Sequence, residues 1–295
     1  MERCTFLTAS LLLAAAGLWA QNPIRVNSAR ELVKALSSER TVLLAPGEYL
    51  VSEASRVATA VASWEQTFDG PQLVISGVNR LTLKAEQGAT LLASPRYAYT
   101  LVFRNCQDLR LVGLTLGHTE AGECDGGVLQ LERCSGVRIE ECDLFGSGVL
   151  GLDLQECARV TVFDSTIREC TLGALYAVGT EDLRLQHMQI THNEAWPLIS
   201  LDACRRVVLE SCRIAGNVGD GLFWIDPGSQ EVSLPRTTIS GLTVEALLYE
   251  GSLIPDFSET IFVENRFGDP QEEPEEYGDE EGNYEDNYDE EYDSQ

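Results

Sequence analysis

Apolar residues recur along this chain in the frame x, x+2, x+5, x+7. Leu109, Leu111, Leu114 and Leu116 begin the series; Val137, Ile139, Cys142 and Leu144 follow, then Val160, Val162, Ser165 and Ile167. Leu183, Leu185, Met188 and Ile190 continue it, then Val207, Leu209, Cys212 and Ile214, then Val232, Leu234, Thr237 and Ile239, in steps of 28, 23, 23, 24 and 25 residues. A period of this length marks a solenoid or a propeller. Each repeat also opens with an earlier alternating pair, as in Leu129/Leu131, Leu152/Leu154 and Ile199/Leu201, so it holds three short strands. Four-stranded blades do not fit into 23 residues. Leucine-rich repeats need a fixed Asn and a helical return, whereas Gly, Asp and Ser separate strand-like runs here. The pattern predicts an all-β parallel β-helix solenoid of about eight coils.

The repeat is flanked by segments of other character. Met1 to Ala20 carries Arg3 and an apolar run from Phe6 to Trp19, which reads as a secretory signal peptide, residues 1–20. No later stretch is long and apolar enough to span a membrane, so the expected location is exported: periplasmic, outer-surface or secreted. Residues 21–70 are expected to form an N-terminal cap with the first strands. Ser28-Ala-Arg-Glu31 is a capping-box pattern ahead of Leu32, Val33 and Leu36, which predicts a short helix over the end of the stack, and a second helix-like stretch runs near Ala54 to Trp64. The β-helix itself is expected over 71–268, ending in a strand near Ile261 to Phe267.

Residues 269–295 hold 14 Asp or Glu, four Tyr, two Pro and no Lys or Arg, a composition expected to be a disordered acidic tail. Of the net charge of −26 this segment supplies −14, leaving −26 + 14 = −12 for the rest. Nucleic acid is thereby an unfavourable partner, and a basic protein engaged through the acidic tail, or a divalent cation such as calcium, a more natural one.

Eight cysteines remain after the signal segment. Cys142 and Cys212 share an inward slot three coils apart, about 14 Å, beyond disulfide reach. Cys106, Cys134, Cys157 and Cys204 share a second slot, where small thiols stack well. Mostly free thiols are expected, with a bridge Cys134 to Cys157 or Cys106 to Cys134 as the exception.

Candidate chemistry lies in two places. The segment Gly117 to Gly127 lengthens its repeat and concentrates His118, Glu120, Glu123, Cys124 and Asp125 among four glycines. His118 with Glu120 could act as a catalytic pair and Glu123 with Asp125 as metal ligands, or the polar residues simply satisfy a turn. His192 and Glu194 take the equivalent positions three coils on, with Asn193 and Asn217 expected on the same edge. The second place is the outer face of the first strand of each repeat. Trp224, Ser200, Tyr176, Asp153, Gln130 and Val102 form one row there, beside a row of Asp226, Asp202, Val178, Gln155, Glu132 and Arg104. Aromatic rings beside carboxylates suit a sugar, with Asp153, Tyr176, Trp224, His192 and Asn193 as substrate-binding candidates. Asp202 and Asp226 fall on successive coils about 5 Å apart, the separation of a retaining glycosidase pair. Any two stacked acids share that spacing, and a solvated polar face is the plainer alternative.

The strand triplets, the opening Thr41-Val-Leu-Leu-Ala-Pro-Gly-Glu-Tyr49 and phrases such as Cys134-Ser-Gly-Val-Arg-Ile-Glu-Glu-Cys-Asp-Leu144 resemble the right-handed parallel β-helix proteins of the pectin-lyase-like superfamily, over about Asn22 to Phe267. The resemblance is greatest to its uncharacterised exported bacterial members. It implies a right-handed coil, and polysaccharide as the partner class. The superfamily's lyases, polygalacturonases, epimerases and tailspikes show that the fold does not choose an activity. The Asn-Thr-Asp, Gly-His-Gly, Asp-Pro-His-Asp and Arg-x-Pro-x-x-Arg signatures of its enzymes are absent. Trp224-Ile225-Asp226 matches part of a pectate lyase phrase, but Pro227 stands where that phrase has His. Lys34 and Lys84 precede the regular coils, leaving Arg104 or Arg168 as candidate bases. The expectation is an exported protein that binds carbohydrate on a lateral face; if it turns substrate over, it is a polysaccharide lyase or glycoside hydrolase. The alternative is a non-catalytic envelope or surface interaction protein.

Overall fold

The computed structural model describes residues 23–119, 126–146 and 150–268. Across them the backbone coils into three sheets, two of nine strands and one of eleven, with a single α-helix and one 3-10 turn. Each coil runs from the third sheet to the first and then the second. Leu101–Arg104, Arg110–Val112 and Thr115–His118 form one such circuit, and Leu152, Val160 and Ile167 lie inside a later one. Register reproduces the repeat frame. Leu111, Ile139, Val162, Leu185 and Leu209 pair in succession along the first sheet, each 0–1% exposed. Parallel pairing at one strand spacing per coil stacks like residues on like, which is why a fixed sequence period gives a continuous core.

Single residues in the left-handed region make the corners. Arg133 and Glu156 bend the chain between the third and first sheets, Glu141 and Asp164 between the first and second, and Glu169 and His192 between the second and third. The residue after each corner points inward and must serve the corner's backbone, since a buried N–H without a partner is costly. Hydroxyls and amides do so from the next coil: Ser165 Oγ accepts from Cys142 N–H at 2.9 Å, Ser229 Oγ from Cys204 N–H at 2.9 Å, and Asn193 Oδ1 from Cys170 N–H at 3.0 Å. Thiols donate the other way, Cys134 to Phe103 carbonyl at 3.4 Å and Cys157 to Leu131 carbonyl at 3.3 Å. All seven described cysteines are free and buried, so no expected bridge forms among them; Cys124 lies outside the described residues.

At the N-terminal end Ser28 Oγ accepts from Glu31 N–H, and Glu31 reaches back to the Asn27 N–H at 2.8 Å, capping the helix Ala29–Ala35. Its buried Leu32 and Val33 cover the first coils. The first strands expected within 21–70 join the stack directly: Arg40–Leu44 and Gly47–Leu50 belong to the first and second sheets. The helix-like stretch near Ala54 to Trp64 is corrected. Only Val51–Ala54 forms a 3-10 turn, and Ala62–Gln66 is a strand antiparallel to Pro71–Ser76. The apolar spacing there arises because Ala62 and Trp64 face one side of that hairpin, with Trp64 Nε1 donating to Val57 carbonyl at 2.7 Å. No helix among the described residues is long and apolar enough to cross a membrane.

Candidate functional site

The outer face of the third sheet carries the predicted rows. Val102, Gln130, Asp153, Tyr176, Ser200 and Trp224 align in successive register, and Arg104, Glu132, Gln155, Val178 and Asp202 align beside them. Asp226 follows Asp202 on the next rung, its N–H bonded to Leu201 carbonyl at 2.8 Å.

Asp153 is the unusual member, because a carboxylate on an outer face is only 1% exposed. Its Oδ2 accepts from Tyr99 Oη at 2.8 Å and Gln130 Nε2 at 2.8 Å, and Gln155 Nε2 donates to both oxygens at 3.3 and 3.1 Å. The donors are neutral, and no Arg or Lys reaches it among the described residues. Tyr99 covers it from the turn before Leu101–Arg104. That turn is pinned from three sides. Asp69 accepts from the N–H groups of Arg96 and Tyr97, Gln72 Oε1 accepts from Tyr99 N–H at 3.2 Å, and His118 Nε2 contacts Ala98 carbonyl at 2.8 Å. The ring also needs Gly127, since a Cβ there would lie 2.0 Å from Tyr99 Cε1. Burial first, then the Asp153 carboxylate, push the Tyr99 phenol well above its ordinary 10.0, so it remains a hydrogen-bond donor.

Tyr176 stands half-buried on the rung after Asp153, and its phenol too is raised by burial and then by Asp202 and Asp153. The face therefore brings Asp153, Tyr176 and Asp202 together with Tyr99, which sequence spacing did not single out because it arrives from a turn. Exposed Trp196, on the turn before Ile199–Asp202, was missed for the same reason. Asp226 is partly withdrawn: its Oδ2 accepts from Gly228 N–H at 2.7 Å and shapes its own turn.

Other candidates fall elsewhere. His118 is 4% exposed and lies inside. Burial holds its pKa below the usual 6.5, so the neutral ring donates from Nε2 to Ala98 carbonyl and supports the Tyr99 turn, a positioning role in place of the expected catalytic one. Glu120, Glu123 and Asp125 lie outside the described residues. His192 is an exposed corner residue. Asn193 is corrected from a surface ligand to a buried corner amide, 1% exposed, with Nδ2 on Ile167 carbonyl at 3.2 Å and Asn217 Oδ1 at 3.0 Å. Neither arginine can serve as a base. Arg104 is clamped between Glu65 and Glu132, Arg168 by Asp143 at 2.8 Å, and these carboxylates raise both guanidinium pKa values. Among the described residues no group of three or more His, Cys, Asp or Glu is placed to hold a metal.

A groove of about 630 Å³ lies on the first sheet instead, lined by Arg159, Arg184, Arg206, Asp182 and Asp256. Two of its arginines are ion-paired, Arg206 with Asp182 in the groove and Glu181 beside it, and Arg184 with Glu210 beside it.

A family model described as right handed beta helix region matches residues 102–267. The chain belongs to this family. Among solved structures, the β-helix is similar to a pectate lyase (pelN) from Paenibacillus sp. 0602, at 11% identity and TM-score 0.48, covering 82% of this chain and 78% of that one. It is also similar to pectate lyase Pel9A, at 12% identity and TM-score 0.49, covering 74% and 63%, and to an alginate lyase from Paenibacillus sp. str. FPU-7, at 9% identity and TM-score 0.42, covering 84% and 99%. At such identities the likeness concerns the fold alone. No curated protein sequence matches the β-helix chain.

Proposed function

We propose that this is an exported protein that binds carbohydrate across the outer face of the third sheet, with Tyr176, Asp202 and Trp224 as the contact residues and Asp153, covered by Tyr99, as the buried support beside them. The observation that carries the reading is the buried carboxylate of Asp153, held by three neutral donors on a face that otherwise points to solvent. Such groups are costly to desolvate, and once fully satisfied they rigidify the surface around them, here the rung that carries Tyr176. Beside it the half-buried ring of Tyr176 and the partly exposed carboxylate of Asp202 offer the combination sugars require, an apolar plane for C–H groups and an acceptor for hydroxyls.

For turnover, the carboxylates favour hydrolysis over β-elimination. The only side-chain cation in these two rows, Arg104, is committed to Glu65 and Glu132, so neutralising a uronate for elimination would fall to a divalent cation held by the carboxylates. A hydrolase needs two carboxyls, and Asp202 with Asp226 on the next rung is the pair at hand. The test is incubation with a panel of neutral and acidic polysaccharides, reading binding, new reducing ends and unsaturated uronate together. Binding lost in Tyr176→Ala and Asp202→Asn supports the reading, new reducing ends without unsaturated uronate establish a hydrolase, and unsaturated product would replace it with a lyase. No binding to any polymer would refute it.

A further inference from the structure

The two ends of the coil stack are finished differently. At the N-terminal end the helix Ala29–Ala35 and the antiparallel strand Ala62–Gln66 cover the first coils. At the other end, Ile261–Val263 is the outermost strand of the second sheet and Arg266–Phe267 that of the third, with nothing paired to their far sides among the described residues. Phe262 stands in register with Ile239 and Phe267 with Val244. Ile239 and Val244 are fully buried, whereas Phe262 and Phe267, in the same inward columns, are 42% and 49% exposed. Phe257 stacks between Phe223 and Phe262, at 6.0 and 5.6 Å, so the interior of the coil reaches solvent as a layer of aromatic rings. An unpaired edge beside an exposed apolar layer is a template for one more strand.

Charge selects what that strand can be. The last rung, 256–268, carries Asp256, Glu259 and Glu264 against Arg266, and Glu245 and Glu250 stand just before it. The next 27 residues, 269–295, add 14 carboxylates and no Lys or Arg. A second copy meeting this end, or the chain's own acidic continuation, would set like charge against like, whereas a cationic segment is drawn to it. We propose that the C-terminal end of the β-helix is a docking edge for a cationic β-strand of a partner protein. The strand adds as a further rung, its backbone pairing along Ile261–Val263. Its apolar side chains cover Phe262 and Phe267, and its Lys or Arg side chains meet Glu264 and, in competition with Arg236 at 3.5 Å, Glu259. This surface is separate from the third-sheet carbohydrate face and does not rest on that reading.

The test uses the full chain and a short fluorescent peptide alternating Lys with Val, with a Glu and Val peptide as control. The Lys peptide is expected to bind saturably at one per chain and to slow amide exchange at Phe262. Its affinity should fall at least about tenfold in Phe262→Asp and in Phe267→Asp, each checked for an unchanged circular dichroism spectrum, and by a similar factor between about 50 and about 500 mM salt. Binding that ignores both substitutions would mean charge attraction alone and would overturn the proposal. So would exchange at Phe262 that is already slow in the free monomer, which would place residues 269–295 on the edge, or self-association abolished by Phe262→Asp, which would make the occupant a second copy.

Discussion

Removing one oxygen tests whether Asp153 is held as described. Tyr99→Phe keeps the ring against Gly127 and deletes only the hydroxyl that donates to Asp153 Oδ2 at 2.8 Å. A hydrogen bond to a charged group contributes about 1.5–3 kcal/mol, and Asp153, 1% exposed, has no water to replace it, so a loss of about 2 kcal/mol is expected. For a domain of this size that lowers the melting temperature by roughly 4–8 °C. The pH dependence carries a second signature. Because the folded Tyr99 has a raised pKa, its contribution is fully present below the ordinary value near 10 and is lost as pH rises beyond it. The gap between wild type and Tyr99→Phe in urea unfolding should therefore be constant from pH 7 to 9 and close above about pH 10, by up to about 1.4 kcal/mol per pH unit. A loss under about 0.5 kcal/mol, or a gap that does not change up to pH 11, would refute the account of Asp153.

Three further outcomes follow from the same geometry. Gly127→Ala places a Cβ 2.0 Å from the Tyr99 ring and should cost at least about 2 kcal/mol, but add little to Tyr99→Ala, which removes the ring that it strikes; additive urea midpoints would argue otherwise. Asn193→Ala strands the buried Cys170 N–H and should destabilise by about 1–3 kcal/mol while leaving polysaccharide affinity unchanged, so a change in affinity at unaltered stability would restore Asn193 as a ligand. Burial pushes Cys142 and Cys170 up to about 12 and Cys212 up to about 11, so at pH 8 these thiols should resist iodoacetamide in the folded chain and react fully in denaturant, as mass spectrometry of the labelled peptides will show.

The architecture was legible in the chain because a β-helix is nearly one-dimensional. Stacking at one strand spacing per coil turns a repeat of 23–28 residues directly into columns, so the alignment of Leu111, Ile139, Val162 and Leu185, and of Asp153 with Tyr176, could be read by counting. The capping box at Ser28 and Glu31 was equally local, one side chain answering the N–H three residues away. What lay off the period was not legible. Tyr99 reaches Asp153 across 54 positions, through a turn anchored by Asp69, Gln72 and His118, and no local pattern announces that convergence. Asn193 and the cysteines shared columns that counting could find, but whether a column faces solvent or the inside of a corner depends on which residue enters the left-handed region, a choice the side chains alone leave open. Sequence thus determined the coil, its register and its faces, since these follow from period and alternation. Tertiary structure decided which face holds a buried carboxylate and which end of the stack, among the described residues, has no further strand on it, since both depend on segments that meet only after the coil has closed.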